Sequence, residues 1–138
     1  CLLATSAAPA WAKKFDRMAC PDSIRSIATC HEARDAQGAF VLVALPAEWN
    51  GTLIVHAHGG PRLAVPKSGD SIEDLDRYAA MVKAGYAWVG STYRRGGYGV
   101  RMAAADVERS RKLFLKHWPK PKRVFLHGQS WGGNVAAK

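Results

Sequence analysis

The residues best equipped for chemistry stand near the carboxyl end, in the run Gly128-Gln129-Ser130-Trp131-Gly132-Gly133. Arg123 to His127 before it reads as a short apolar strand, and the residues after Ser130 open a helix. A serine on so sharp a strand-to-helix turn is held in a strained backbone conformation, with its Oγ clear of the sheet. Gly128 and Gly132 flank it because side chains there would collide as strand and helix pass. The helix start adds oriented N–H groups that favour negative charge on a reacting oxygen. This spacing assigns Ser130 as a nucleophile. Acyl transfer also needs donors for the oxyanion of a tetrahedral intermediate. The Trp131 N–H is one, and an N–H from Gly59 or Gly60 in the loop His58-Gly59-Gly60-Pro61 is the other.

Those loops need a scaffold. Residues 38–46 and 52–57 read as strands, joined by a turn at Ala47 to Gly51 whose strongest cue is Asn50-Gly51. The second strand is apolar enough to be buried on both faces and runs into the His58 loop. A helix is expected from about Ser71 to Ala84, capped by Asp70 or Ser71, with Glu73 and Asp74 in its first turn and Gly85 ending it. Residues 86–93 form a third strand, followed by a loop from Arg94 to Val100. A second helix runs from about Met102 to His117, stopped by Pro119 and Pro121 before the strand that carries the serine. The expected class is α/β: a mostly parallel sheet with helices on both faces, and the active loops gathered beyond its carboxyl edge.

Composition narrows the function. The 138 residues suit one domain and carry a formal net charge of +9. The basic residues are scattered, without a nucleic-acid motif or base-stacking pattern, so they read as a solvated face and nucleic acid is not expected as a partner. Residues 1–12, ending Ala10-Trp11-Ala12, resemble the tail of a signal peptide. The alternatives are a lipoprotein beginning at Cys1 or a disordered tail. No stretch is long enough to span a membrane. Export would place Cys20 and Cys30 in an oxidising compartment, where they pair in a disulfide. A metal site using Cys20, Cys30 and His31 is the alternative, but its second ligand pair is missing. Residues 13–37 have few periodic cues and read as an amino-terminal arm, and 38–138 as the first part of a catalytic domain.

His58-Gly59-Gly60-Pro61, Gly85-Tyr86-Ala87-Trp88-Val89, Tyr93-Arg94 leading to Gly97-Tyr98-Gly99, and the serine turn follow one another in the order of an α/β-hydrolase. From Phe40 to Lys138 the chain resembles that superfamily. The HGGP loop and the doubled glycine after the serine are closest to its prolyl-oligopeptidase-like branch; the esterase and lipase branch shares the HGG loop and the serine turn. Prolyl-oligopeptidase-type enzymes carry a large propeller before the hydrolase domain, and an export leader at residues 1–12 leaves no room for one. The resemblance therefore implies a serine hydrolase of carboxylic esters working through an acyl-enzyme, and the leader-like tail a secreted or periplasmic one. A peptidase is the alternative.

In this superfamily an acid and then a histidine follow the serine. Trp131 to Lys138 contain neither. His127 ends the strand beside the serine, His56 and His58 belong to the oxyanion-loop strand, His117 ends a helix, and His31 lies in the arm; none is expected to serve as base. The chain therefore reads as the amino-terminal portion of a hydrolase, inactive by itself, or else as a non-catalytic fragment. His58, Arg94 and Arg95 are candidates for substrate binding, the arginines for a substrate carboxylate or carbonyl. The substrate is a small ester or peptide, with no cofactor and no metal implied.

Overall fold

A computed structural model describes residues 14–138, so the proposed leader at 1–12 lies outside the described residues. The sheet has six strands: β1 (Asp16–Met18), β2 (Ala28–Arg34), β3 (Phe40–Pro46), β4 (Thr52–Ala57), β5 (Ala87–Ser91) and β6 (Arg123–Gly128). Their spatial order is β1-β2-β3-β5-β4-β6. The pairs β1–β2, β2–β3 and β3–β5 are antiparallel, and only β4–β5 and β4–β6 are parallel. The expected mostly parallel sheet is thus corrected to a mostly antiparallel one. The segment 13–37, read as an arm, supplies β1 and β2 of the same sheet.

The hairpin that creates the antiparallel half lies between β2 and β3. Asp35 closes it, its carboxylate accepting from the Gln37 and Ala39 N–H groups at 2.8 and 3.0 Å while Gly38 takes φ +94°. That positive φ is open to glycine at little steric cost. Asn50-Gly51 does turn the chain, with Gly51 at φ +86° and the Asn50 Oδ1 accepting from Thr52 N–H at 2.9 Å. It does not make a hairpin, because β5 inserts between β3 and β4.

Side chains alternate across a strand, and here both faces are covered. Val41, Val43, Leu53, Val55, Ala87 and Val89 face the long helix α3 (Val100–His117), which contributes Ala103, Val107, Leu113 and Phe114, and the short α4 (Trp131–Ala136), which contributes Val135. Leu42, Ala44, Ile54 and Trp88 face the other way, toward α1 (Ile72–Arg77) and α2 (Ala79–Lys83). The single helix expected over 71–84 is broken at Tyr78, whose φ −106° and ψ 23° leave helical geometry. Ser71 stands at the N-cap without a side-chain cap bond, and Asp70 accepts from the Lys67 N–H instead.

The chain leaves β4 toward α1 on one face, and leaves β5 and β6 toward α3 and α4 on the other. Divergent connections of this kind open a crevice at the carboxyl edge of a sheet. The loops beginning at His58, Thr92 and Gln129 surround it. Among the described residues no helix is long and apolar enough to cross a membrane. The outer strand β6 leaves Val124, Phe125 and Leu126 about half exposed.

Cys20 and Cys30 are joined in a disulfide, which removes both thiolates from the alternative metal site. The bridge ties the segment after β1 to β2 across a sequence separation of 10. Closing a loop of that size stabilises by about 3 kcal/mol on the chain-entropy account. The double substitution Cys20→Ala/Cys30→Ala is expected to lower the unfolding free energy by about 2–3 kcal/mol. Urea unfolding checks this: the midpoint should fall, and an unchanged midpoint would show that the bridge adds nothing.

Candidate active site

The turn between β6 and α4 is built by backbone meeting backbone. Gln129 N–H donates to the Ala57 carbonyl at 3.1 Å, and Gly132 N–H to the Gln129 carbonyl at 2.8 Å. A Cβ on Gly132 would stand 2.1 Å from the Ala57 carbonyl oxygen, and one on Gly128 would stand 2.5 Å from that of Gly132. Neither contact is possible between real atoms, so both positions require glycine. Gly133 is different, since a Cβ there would meet nothing within 4 Å.

Ser130 adopts φ 53° and ψ −123°. Side chains rarely occupy that region, and holding one there costs of order 1–3 kcal/mol. The residue is exposed, and among the described residues no side chain hydrogen-bonds its Oγ. Trp131 follows at the first turn of α4, where a backbone N–H has no partner within the helix.

The loop after β4 is held against this turn. The Gln129 Oε1 accepts the Gly59 N–H at 3.1 Å, and a Cβ on Gly59 would fall 2.3 Å from that oxygen. Of the two donors expected in this loop, Gly59 is therefore occupied by Gln129. Gly60, at φ +57°, lies in open space and lines the adjoining cavity. His58 is buried, stacked on Tyr93 with ring centroids 4.1 Å apart. Its Nδ1 meets the Gly59 carbonyl at 2.8 Å and its Nε2 the Thr92 carbonyl at 3.2 Å. Burial lowers its proton affinity, and a neutral ring donates to only one of those carbonyls. The Tyr93 hydroxyl donates to the His58 carbonyl at 3.0 Å. His58 is thus committed to holding the loop.

A cavity of about 370 Å³ opens beside the turn, walled by His58, Gly60, Tyr93, Arg95 and Trp131, with Leu63 and Val65 exposed at its rim. Arg95 faces it; Arg94 does not. The Arg94 guanidinium instead grips the fully buried Asp106, Nε to Oδ1 at 2.9 Å and Nη2 to Oδ1 at 2.6 Å, while its backbone N–H bonds Oδ2 at 2.8 Å. Arg109 joins the same carboxylate and reaches Asp35 at 2.9 Å. A buried carboxylate needs this compensation, so Arg94 is withdrawn from substrate binding and fixes the loop after β5 to α3. His31 and His117 lie away from the crevice, packed with Trp118.

Neither a family model nor a curated protein matches the chain. Among solved structures it is similar to acetyl xylan esterase 1 from Thermoanaerobacterium sp. JW/SL YS485. The match has a TM-score of 0.50 and 19% identity, over 90% of this chain and 46% of that one. The likeness is one of fold. It spans less than half of the esterase's length.

Of the residues singled out in the sequence, Ser130, Trp131, Gly59, Gly60, His58 and Arg95 come together at one edge of the sheet. Sequence reading missed the roles of Gln129, Tyr93 and Asp106, which hold them. Tyr93 entered the sequence reading only as part of a motif; its role shows in the structure, where it is a non-glycine residue at φ 62°. Substituting the two helix glycines separates close approach from helix propensity. Gly132→Ala is expected to cost about 3 kcal/mol through overpacking. Gly133→Ala should be neutral or stabilise by about 0.5 kcal/mol, since alanine suits a helix better. Thermal unfolding of both variants reads this contrast, and equal effects would contradict it.

Proposed function

We propose that this chain carries the nucleophile and the oxyanion site of a serine hydrolase that cleaves carboxylic esters through an acyl-enzyme. The observation that carries the reading is the Ser130 backbone: a side-chain-bearing residue in a strained conformation, between two glycines that cannot be replaced, at the carboxyl edge of the sheet. Strain of this kind persists where the surroundings over-determine it, and it presents the hydroxyl outward. Ser130 Oγ would attack the ester carbonyl carbon. The Trp131 and Gly60 N–H groups would stabilise the oxyanion, with Gly59 reassigned to fixing the loop through Gln129. One such donor is worth about 3–4 kcal/mol in the transition state. The cavity beside Trp131 would hold the acyl or alcohol portion.

A base must take the hydroxyl proton, and among the described residues none is bonded to Ser130. The histidine and its orienting acid would come from outside these residues. The half-exposed Val124, Phe125 and Leu126 on β6 support this, being apolar surface that a further strand would cover. The esterase with the similar fold favours ester over peptide bonds. The Cys20–Cys30 bridge supports an exported protein, because disulfides persist in oxidising compartments.

Labelling of the native-length protein with a fluorophosphonate tests the assignment. Wild type should be modified on the peptide containing Ser130, and Ser130→Ala should abolish the label. Labelling that survives this substitution would overturn it.

A further inference from the structure

On the face of the sheet away from α3, a polar chain crosses three elements, buried at His56 and Asp74 and half-buried at His127. His56 of β4 and His127 of β6 are register partners in the parallel pair, so their side chains share one face. Their Nδ1 atoms lie 2.9 Å apart and their rings stack at 5.1 Å. On its other side His56 presents Nε2 to the Asp74 Oδ2 of α1 at 3.3 Å. That separation suits charge attraction but falls short of a formed hydrogen bond, leaving the buried nitrogen otherwise without a partner. His56 is 1% and Asp74 5% exposed. Tyr78 packs on both imidazoles, and the Trp88 indole of β5 stacks on His56. Beyond Asp74, the charged or titratable neighbours are His58 and Arg62. His56, Asp74 and His127 line no part of the cavity described above, whereas His58 and Arg62 do.

The two rings hold four nitrogens, and proton counting limits what they can do. With both rings neutral, the carboxylate favours the His56 proton on Nε2. The His56 Nδ1 must then accept, so His127 carries its proton on Nδ1 and keeps a bare Nε2. One added proton binds at that Nε2. The Nδ1 proton of His127 can then pass to His56 Nδ1, leaving His127 neutral and placing the imidazolium against Asp74. A further proton would set two Nδ1–H donors against each other at 2.9 Å.

We propose that Asp74, His56 and His127 form a proton-sharing chain that accepts a single proton and positions the strand end carrying Ser130. Asp74 opens the helix that follows the His58–Asp70 loop, and His127 stands three residues before Ser130. The chain therefore ties the cavity loop and the serine turn to one polar unit. Its consequence for catalysis rests on the hydrolase reading; its proton chemistry does not. The charge balance agrees. Burial alone would raise the Asp74 carboxyl, but the attraction of the adjacent His56, with His58 and Arg62, turns it downward. Burial and then the charge of His56 lower the His127 proton affinity.

Long-range ¹H–¹⁵N correlation spectra of the native-length protein read the tautomers directly and need no substrate. Above the titration, His56 should be protonated on Nε2 and His127 on Nδ1. On acidification, both rings and the Gly128 and Gln129 amides should move with one shared midpoint and a total uptake of one proton. Asp74→Asn should weaken that proton affinity about tenfold or more, since an opposing charge at this distance shifts titration by a unit or more. Should that variant fail to fold, His127→Gln should abolish the response of the Gly128 and Gln129 amides to His56. Independent midpoints, uptake of two protons, His56 protonated on Nδ1 instead, or amides that still follow His56 in His127→Gln would each overturn the proposal. Loss of fluorophosphonate labelling would leave it standing, so the two readings fail separately.

Discussion

Everything in the crevice depends on one close passage of main chain. At the end of β6 the backbone turns into α4 while touching the end of β4, where the Gln129 N–H meets the Ala57 carbonyl and Gly132 packs on that same oxygen. Two glycines make the approach possible, and the approach in turn forces Ser130 into φ 53°. The strain is local, but what holds it is not. The Gly59–Gln129 bond and the Tyr93–His58 pair brace the neighbouring loops, and Arg94 anchors the third loop on Asp106.

This arrangement divides labour between polar and apolar groups. Apolar burial on both faces of the sheet supplies most of the stabilisation. Several of the buried charged groups join elements distant in sequence: Asp35 and Asp106 take the arginines of the α3 face, while His56 and Asp74 occupy the α1 face. Removing one partner from such a buried set exposes the other to its full desolvation cost. A residue like Arg94, which looks free to grip a substrate when seen only as a loop cation, is therefore structural here.

Local structure was legible in the sequence, and long-range pairing was not. The glycine spacing around Ser130, the apolar run Thr52 to Ala57 and the helix ending before Pro119 each follow from a few adjacent residues. Strand order is different. Nothing near Asn50-Gly51 says that β5 will insert beside β3, and β2 hides behind the polar residues Thr29, His31 and Glu32. Its hairpin turn, Asp35 to Gly38, works through a carboxylate whose partners become visible only once the loop is closed. Gln129 sat in the variable position of the serine motif, where no residue type is demanded. His56 and His127 are 71 residues apart, so each looked like an isolated strand histidine.

The central claim is that Ser130 is presented as a nucleophile. Trapping the acyl-enzyme tests it most directly: the native-length protein is mixed with an activated acetyl ester, quenched in acid, digested and weighed. The account predicts an acetyl group on the Ser130 hydroxyl, formed in a burst and lost on standing at neutral pH. Acetylation confined to lysines, or a Ser130 peptide that stays unmodified while the ester is consumed, would contradict it.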